Sequence, residues 1–286
     1  MNFNSWWYMG LAIISLGILI FIYSKKRKSS FLLLFLVMVE FAFLIETVIY
    51  IFGGSYQYFP KIIKYNSYYD SNVGALVSNL LIVPALATLI GVFKLNWLWI
   101  SFFTAFLTFT EWLFLRLNIY EHNWWKTGYT TFGLLFVFFP LGKVIYRQIS
   151  KPLKGIKHSI FLFLCTAPIL GCMHIIPIMW LSNRAYFPGW FKDYAHDTTA
   201  FASLYHVVVA IIFTILIKIN WRHRGSKYLV MASISFVTTL ILTKIGILKR
   251  YVWWDPWYYI FYHVIVLTMS GAISKRLFRG SSGRSI

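Results

Sequence analysis

The stretch WWYMGLAIISLGILIFIYSKKRK, residues 6–28, decides the fold. Its apolar run, Trp6–Tyr23, is long enough to cross about 30 Å of hydrocarbon as an α-helix. The basic cluster Lys25-Lys26-Arg27-Lys28 follows the run rather than preceding it. A cleavable signal peptide carries its charge on the other side, so the segment reads as an uncleaved anchor. Basic flanks stay cytoplasmic, which places the N-terminus outside.

The same pattern continues along the chain. Further apolar runs cover Phe31–Phe52, Val73–Phe93, Trp97–Asn118, Tyr129–Tyr146, Ser159–Leu181, Thr198–Ile219, Tyr228–Leu248 and Trp257–Ser274. Each suffices for a membrane span, with tilt for the longer ones. Pro84, Pro140, Pro168 and Pro177 fall inside runs. They kink such helices without abolishing them, because neighbouring helices satisfy the freed carbonyls. The expectation is an all-α polytopic transmembrane helix bundle of nine spans.

Composition agrees. Hydrophobic residues make up 59% of the 286-residue chain and charged residues 12%, against about 25% charged in soluble domains. The net charge of +19 would suggest nucleic acid in a soluble protein. Here the charges sit in short clusters between spans, so nucleic acid is not an expected partner. The expected partners are the bilayer itself and anionic lipids, met by the basic inner loops. Lys94, Lys143, Arg147, Lys151, Lys154, Lys157, Lys218, Arg222, Arg224, Lys227, Lys275, Arg276, Arg279 and Arg284 all fall on the expected inner side, and no Asp or Glu does. That satisfies the positive-inside rule and puts the C-terminus in the cytoplasm. Cys165 and Cys172 share one span about 10 Å apart along its axis, too far for a disulfide.

The expected outer loops are rich in aromatic residues, from Tyr56-Gln57-Tyr58-Phe59 to Trp253-Trp254. Either these form an interfacial belt or they line an outward mouth.

Motifs also recur in order. Tyr58-Phe59-Pro60 returns as Tyr186-Phe187-Pro188, Asp70 as Asp197, and Lys94-Leu95-Asn96-Trp97 as Lys218-Ile219-Asn220-Trp221. Trp124-Trp125 returns as Trp253-Trp254 and Gly142 as Gly271, all at spacings of 124 to 129 residues. Arg116 faces Lys244 in the same alignment. This predicts an anchor helix with its basic loop (1–30), a first four-helix repeat (31–158) and a second (159–286). Four spans is an even number, so the repeats are expected to be parallel.

The stretch from Tyr69-Asp70 through Phe93-Lys94-Leu95-Asn96-Trp97, Glu111-Trp112-Leu113 and His122-Asn123-Trp124-Trp125 resembles small multi-pass membrane proteins of Bacillus-like bacteria. The resemblance covers about a third of the chain, mainly the first repeat. It implies a bacterial plasma-membrane protein and carries no catalytic residues with it. The second repeat departs from the pattern, since it lacks the Glu-Trp pair.

Ionisable residues inside spans are expensive and mark candidate functional positions. Glu46, Glu111, His174, His206, Lys244 and His263 all fall about 6–12 Å from the expected outer boundary at 1.5 Å per residue, and Arg116 lies closer still to its helix end. Glu40 alone lies near the midplane. Glu46 aligns with His174 and Asn79 with His206, so both repeats contribute to one polar layer. Structural roles account for part of it, since Arg116 and Lys244 are placed to snorkel and a lone His or Glu can bridge helices.

Two functional readings remain. In one, the layer lines an outward-facing cavity that binds or transports a small molecule or ion, with Glu46 and Glu111 holding a cation or carrying protons. No cofactor is then required. In the other, His174, His206 and His263 ligate zinc in a membrane-embedded hydrolase near the outer leaflet. That reading requires the three rings to converge. A scaffold or sensor subunit is a third class without a motif of its own. No phosphate-binding Gly-rich loop, Cys-x-x-Cys pair or serine nucleophile motif is present.

Overall fold

A computed structural model describes residues 2–26, 30–223 and 225–280. Arg27, Lys28, Arg224 and Arg284 of the expected inner basic segments lie outside the described residues. The structure is an all-α helix bundle. Its long helices are α1 (Phe3–Lys26), α2 (Ser30–Phe52), α3 (Ser67–Phe93), α4 (Trp97–Arg116), α5 (Thr127–Ile149), α6 (Gly155–Leu181), α7 (Tyr194–Lys218) and α8 (Ser226–Lys244). All eight are long and apolar enough to cross a membrane. A ninth, α9 (Asp255–Arg279), is as long but more polar at both ends. The protein is therefore an integral, multi-pass membrane protein. Its surface agrees: Trp97, Leu98, Trp99, Phe102, Phe109 and Trp112 of α4 are all exposed, a display that water would not tolerate.

Helices α3 and α7 begin earlier than the apolar runs predict. Asn66 accepts hydrogen bonds from the Tyr68 and Tyr69 amides, both at 2.9 Å. Asp193 does the same for Ala195 and His196, at 2.9 and 2.8 Å. These caps satisfy amides that have no partner within the helix. The added turns are polar, so hydropathy alone overlooks them.

Three helices widen into π-helical turns: Thr47–Phe52 in α2, Val77–Ile82 in α3 and Gly133–Phe138 in α5. Pro84 and Pro140 stand just beyond the second and third. A proline ring lacks the amide hydrogen and collides with the carbonyl four residues back, and a wider turn relieves that collision.

The chain divides into two compact units, one reaching Leu153 and taking in Arg279 and Gly280, the other Lys154–Phe278. In the first unit α3 and α5 meet at glycines. A Cβ on Gly142 would lie 2.8 Å from the Ala87 carbonyl oxygen, and one on Gly91 would lie 2.7 Å from the Gly142 carbonyl oxygen. Small residues allow this approach between membrane helices. Helix α1 belongs to the same unit. Its Asn4 Nδ2 donates to the Phe59 carbonyl (2.7 Å) and its Ser5 hydroxyl to the Pro60 carbonyl (2.8 Å). The core of the second unit gathers Leu170, Val209, Phe213, Tyr259, Tyr262 and Val266.

Two loops in each unit pair as short antiparallel strands, a feature the hydropathy pattern does not predict. In the first unit β1 (Tyr56–Tyr58) pairs with β2 (Tyr120–His122), Tyr56 opposite His122. In the second, β3 (Arg184–Tyr186) pairs with β4 (Leu248–Arg250), Arg184 opposite Arg250. The flanking bonds follow the same numbering plus 128: Phe59 amide to Ile119 carbonyl, then Phe187 to Ile247; Asn123 amide to Ser55 carbonyl, then Tyr251 to Asn183.

An aspartate clips each loop. Asp70 accepts the amides of Lys61, Ile62 and Ile63 at 2.6–2.8 Å. Asp197 accepts those of Gly189, Trp190 and Phe191 at 2.8–3.1 Å. Both carboxylates are buried, so each loop depends on its aspartate for these bonds.

Gly142 and Gly271 align in sequence but not in crowding, since a Cβ on Gly271 meets nothing closer than Ile217 Cδ1 at 3.8 Å. Gly142→Ala is expected to cost about 1–3 kcal/mol through overpacking, and Gly271→Ala to be nearly neutral. Thermal unfolding of the two purified variants in detergent checks the contrast; equal melting temperatures would refute it.

Candidate functional site

In the first unit, β1 and β2 carry side chains back over the ends of α2 and α4. Glu46 closes the α-helical part of α2, immediately before the π-helical turn. The Tyr56 hydroxyl of β1 donates to Glu46 Oε2 at 2.6 Å. Burial raises the Tyr56 phenol well above its usual pKa, and the Glu46 charge adds to the shift. Tyr56 therefore keeps its proton and acts as a donor. His122 of β2 meets Glu111 of α4, Nε2 to Oε1, at 2.9 Å. From α1, Tyr8 donates to the Ile119 carbonyl.

Between these groups lies a partly open cavity of about 300 Å³. That is the volume of roughly ten waters at ~30 Å³ each and lies at the small end of ligand pockets. Glu46, Asn79 and Glu111 line it among Tyr8, Tyr56, Tyr58, Phe114, Tyr120 and Trp125. Among the described residues, no lysine or arginine does. All three π-helical turns contribute to the wall, through Ile49, Ser78, Asn79, Gly133 and Val137 among others. Such turns concentrate at functional sites because they displace side chains from the regular helical face. The inner end is apolar, with Leu11, Ala42, Val83, Leu107 and Phe138. Glu40, buried deeper in α2, is not part of the lining.

Glu46 is 6% exposed, and its Oε1 has no hydrogen-bond partner. The Asn79 side chain approaches the carboxylate as a hydrogen-bonding neighbour, but neither Glu46 Oε1 nor Asn79 Nδ2 makes a bond of full geometry. A buried carboxylate oxygen left in this state costs about 1–3 kcal/mol or more. A cavity wall is where such a group finds a partner in a ligand.

The structure thus brings Glu46, Asn79 and Glu111 of the expected polar layer together. Arg116 and Lys244 lie apart from the cavity, exposed at the ends of α4 and α8, with the Arg116 guanidinium 5.6 Å from the Trp112 ring.

The histidines belong to the second unit, each held by different partners. His174 is bound on both nitrogens, Nδ1 to the Tyr262 hydroxyl (3.2 Å) and Nε2 to that of Tyr186 (3.1 Å). His206 Nδ1 faces the Ala202 carbonyl at 3.3 Å, and His263 Nδ1 faces Ser235 Oγ at 3.0 Å. Among the described residues no three His, Cys, Asp or Glu side chains form a group able to hold a metal ion. His174, His206 and His263 do not form such a group: both ring nitrogens of His174 are bonded to tyrosine hydroxyls, while His206 and His263 meet a backbone carbonyl and a serine.

Where the first unit has its cavity residues, the second has a buried ion pair. Arg184 and Asp255 form two bonds, Nε to Oδ2 at 2.8 Å and Nη2 to Oδ1 at 2.7 Å, at 2% and 0% side-chain exposure. Arg184 Nη1 donates to the Tyr186 hydroxyl at 2.8 Å, and its guanidinium carbon lies 3.2 Å from the centre of the Tyr259 ring. Burial disfavours the Arg184 charge, but Tyr186, Tyr259 and Asp255 favour it, and the net shift is upward.

Tyr56, His122, Arg184 and Asp255 are the residues that sequence reasoning missed. All four lie in loops or at a helix start, outside the apolar runs on which the candidate layer was built. The only signal available was the alignment of Arg184 with Tyr56.

No protein-family model, curated protein or solved structure matches the chain.

Removing one partner of a buried ion pair strands the other's charge. Arg184→Met is expected to destabilise the protein by about 3–5 kcal/mol, and the double variant Arg184→Met/Asp255→Leu by much less. Unfolding midpoints of wild type and both variants check this; a double variant as unstable as the single one would refute it.

Proposed function

We propose that this integral membrane protein binds a small molecule or ion in the cavity of its first unit, with Glu46 as the principal contact and Glu111 as a second. The observation that carries this is the buried, unpartnered Glu46 Oε1 on the wall of an open cavity. Binding uses a carboxylate that the fold has already desolvated and Tyr56 has already oriented, so little further reorganisation is needed. The apolar inner end supports a binding site rather than an open conduit. It is also the shape expected of one state of an alternating-access transporter.

We also propose that the two units descend from one duplicated four-helix segment, with α1 added to the first. The shared strand register, the paired aspartate clips and the constant spacing of the flanking bonds support it. The basic flanks support an outside N-terminus, a cytoplasmic C-terminus and contact of the inner loops with anionic lipids. The resemblance to multi-pass proteins of Bacillus-like bacteria supports a bacterial plasma membrane. In this orientation the cavity opens toward the outside.

Gly133 offers a clean test, because nothing lies within 4 Å of a Cβ built there and the residue lines the cavity. Gly133→Tyr is expected to fold and to fill the space. Small molecules and ions are screened for thermal stabilisation of the wild type. Compounds that stabilise it are expected to lose that effect in Gly133→Tyr and to be weakened at least tenfold by Glu46→Gln. Compounds that act equally on all three proteins would place the binding site elsewhere.

A further inference from the structure

We infer that the ligand of the first unit is a small organic cation, an ammonium or guanidinium group on a compact body, and that Arg184 of the second unit fills the corresponding space from within. This rests on the cavity being a binding site, as proposed above. It deepens that reading by assigning the ligand's chemistry.

The first line of argument is the cavity itself. Among the described residues its wall carries two carboxylates and no lysine or arginine. Glu111 is shared with His122, while Glu46 keeps one oxygen without a partner. The rest of the wall is mostly aromatic and aliphatic surface, with single hydroxyls from Ser78, Thr110, Thr130 and several tyrosines set among it. Hard inorganic cations are held by six or more oxygens or keep their water, and a largely apolar wall with two carboxylates suits them less than an organic cation. Aromatic faces beside a carboxylate attract organic cations, which are weakly hydrated and present apolar surface as well as charge.

The second line is independent of the cavity. At the spacing that relates the strand pairs, Tyr56 corresponds to Arg184, Tyr58 to Tyr186 and Glu46 to His174. At the spacing of the Trp124-Trp125 and Trp253-Trp254 pairs, Thr130 corresponds to Tyr259 and Gly133 to Tyr262. Thr130 and Gly133 line the open cavity. Tyr259 and Tyr262 are each 1% exposed and belong to a packed core. Small residues on α5 thus leave space where large ones on α9 close it. Into the closed version the chain inserts a guanidinium, stacked on Tyr259 and paired with a carboxylate. The second unit therefore shows which guest this architecture accommodates: a planar organic cation between an aromatic ring and an acid. The first unit has carboxylates and aromatic rings in its wall at other positions and, among the described residues, places no Lys or Arg there.

The acid has moved between the two. In the second unit it is Asp255 at the start of α9, while Lys126 precedes α5 at the matching place. In the first unit the carboxylate comes from α2 instead. Each unit thus buries a carboxylate, from α2 in the first and from the start of α9 in the second, and only the second supplies its own cation there.

The test uses the purified full-length protein in detergent, titrated with tetramethylammonium, choline, guanidinium and methylguanidinium. Sodium, magnesium and calcium chlorides and the neutral choline isostere 3,3-dimethylbutan-1-ol serve as comparisons. Thermal stabilisation and quenching of tryptophan fluorescence, to which Trp125 contributes from the wall, report binding. At least one organic cation is expected to bind saturably and at least tenfold more tightly than the neutral isostere. Glu46→Gln is expected to reduce that preference to near unity, and Gly133→Tyr to abolish binding while the variant stays folded. Equal binding of the neutral isostere would overturn the cation assignment and leave the cavity as a site for neutral molecules. Binding of inorganic ions alone would overturn it in favour of a metal or alkali cation. If no organic cation binds, the assignment fails. If Gly133→Tyr also leaves every other stabilising compound unaffected, the cavity reading fails with it.

Discussion

Hydrocarbon supplies no hydrogen bonds, and the polar groups of this protein are arranged under that constraint. Each backbone that leaves a helix must be satisfied before it can sit against the bundle. Asp70 and Asp197 do this by accepting three loop amides each. The short strand pairs do it for the remaining loop backbone, and Tyr8 and Asn4 of α1 reach the same loops from another direction. Loops anchored in this way hold their side chains over the helix ends. Tyr56 and His122 are placed at the two glutamates by this means, so a requirement of folding also positions the site.

The two units meet a second demand differently. A polar pocket in a bundle must be either filled or left for something else to fill. In the second unit Arg184, Asp255, Tyr186, Tyr259 and His174 satisfy one another in a closed network. Such networks are stable only when every member is paired. In the first unit the network stops at Glu46 Oε1 and Asn79 Nδ2. The π-helical turns occur, among the described residues, in the first unit alone. They rotate wall residues away from regular helical positions and are less tightly hydrogen-bonded than an α-helix. The open cavity and the π-helical turns fall together in the first unit, whereas buried polar atoms without a hydrogen bond occur in both, among them Asn183 Oδ1 and His263 Nε2 in the second.

Much of the fold was legible because a membrane span is a local property. Twenty apolar residues announce a helix whatever surrounds them, and the expected runs lie inside the observed helices to within a few residues at most ends. The caps at Asn66 and Asp193 extended α3 and α7 because capping depends on one side chain, which a hydropathy window averages away. The three-residue strands gave no periodic signal, and their aromatic residues matched an interfacial belt equally well. Depth reasoning placed Glu46, Asn79 and Glu111 in one layer, and these three line the same cavity, since residues at one level of neighbouring helices have a fair chance of meeting. The same reasoning grouped His174, His206 and His263, which lie near one another in the second unit but form no group able to hold a metal ion among the described residues. Shared depth does not fix the direction of a side chain around the helix.

By itself, then, the sequence determined that the chain lies in a membrane, where its helices run, and which levels of the bundle carry polar groups. These follow from transfer free energies, which add residue by residue along the chain. Only the tertiary structure decided that Tyr56 and His122 engage the two glutamates, that Arg184 is buried against Asp255, and that one unit is open while the other is filled. Those outcomes depend on which side chains face one another across helices. Thr130 against Tyr259, and Gly133 against Tyr262, set them through volume and angle rather than hydropathy.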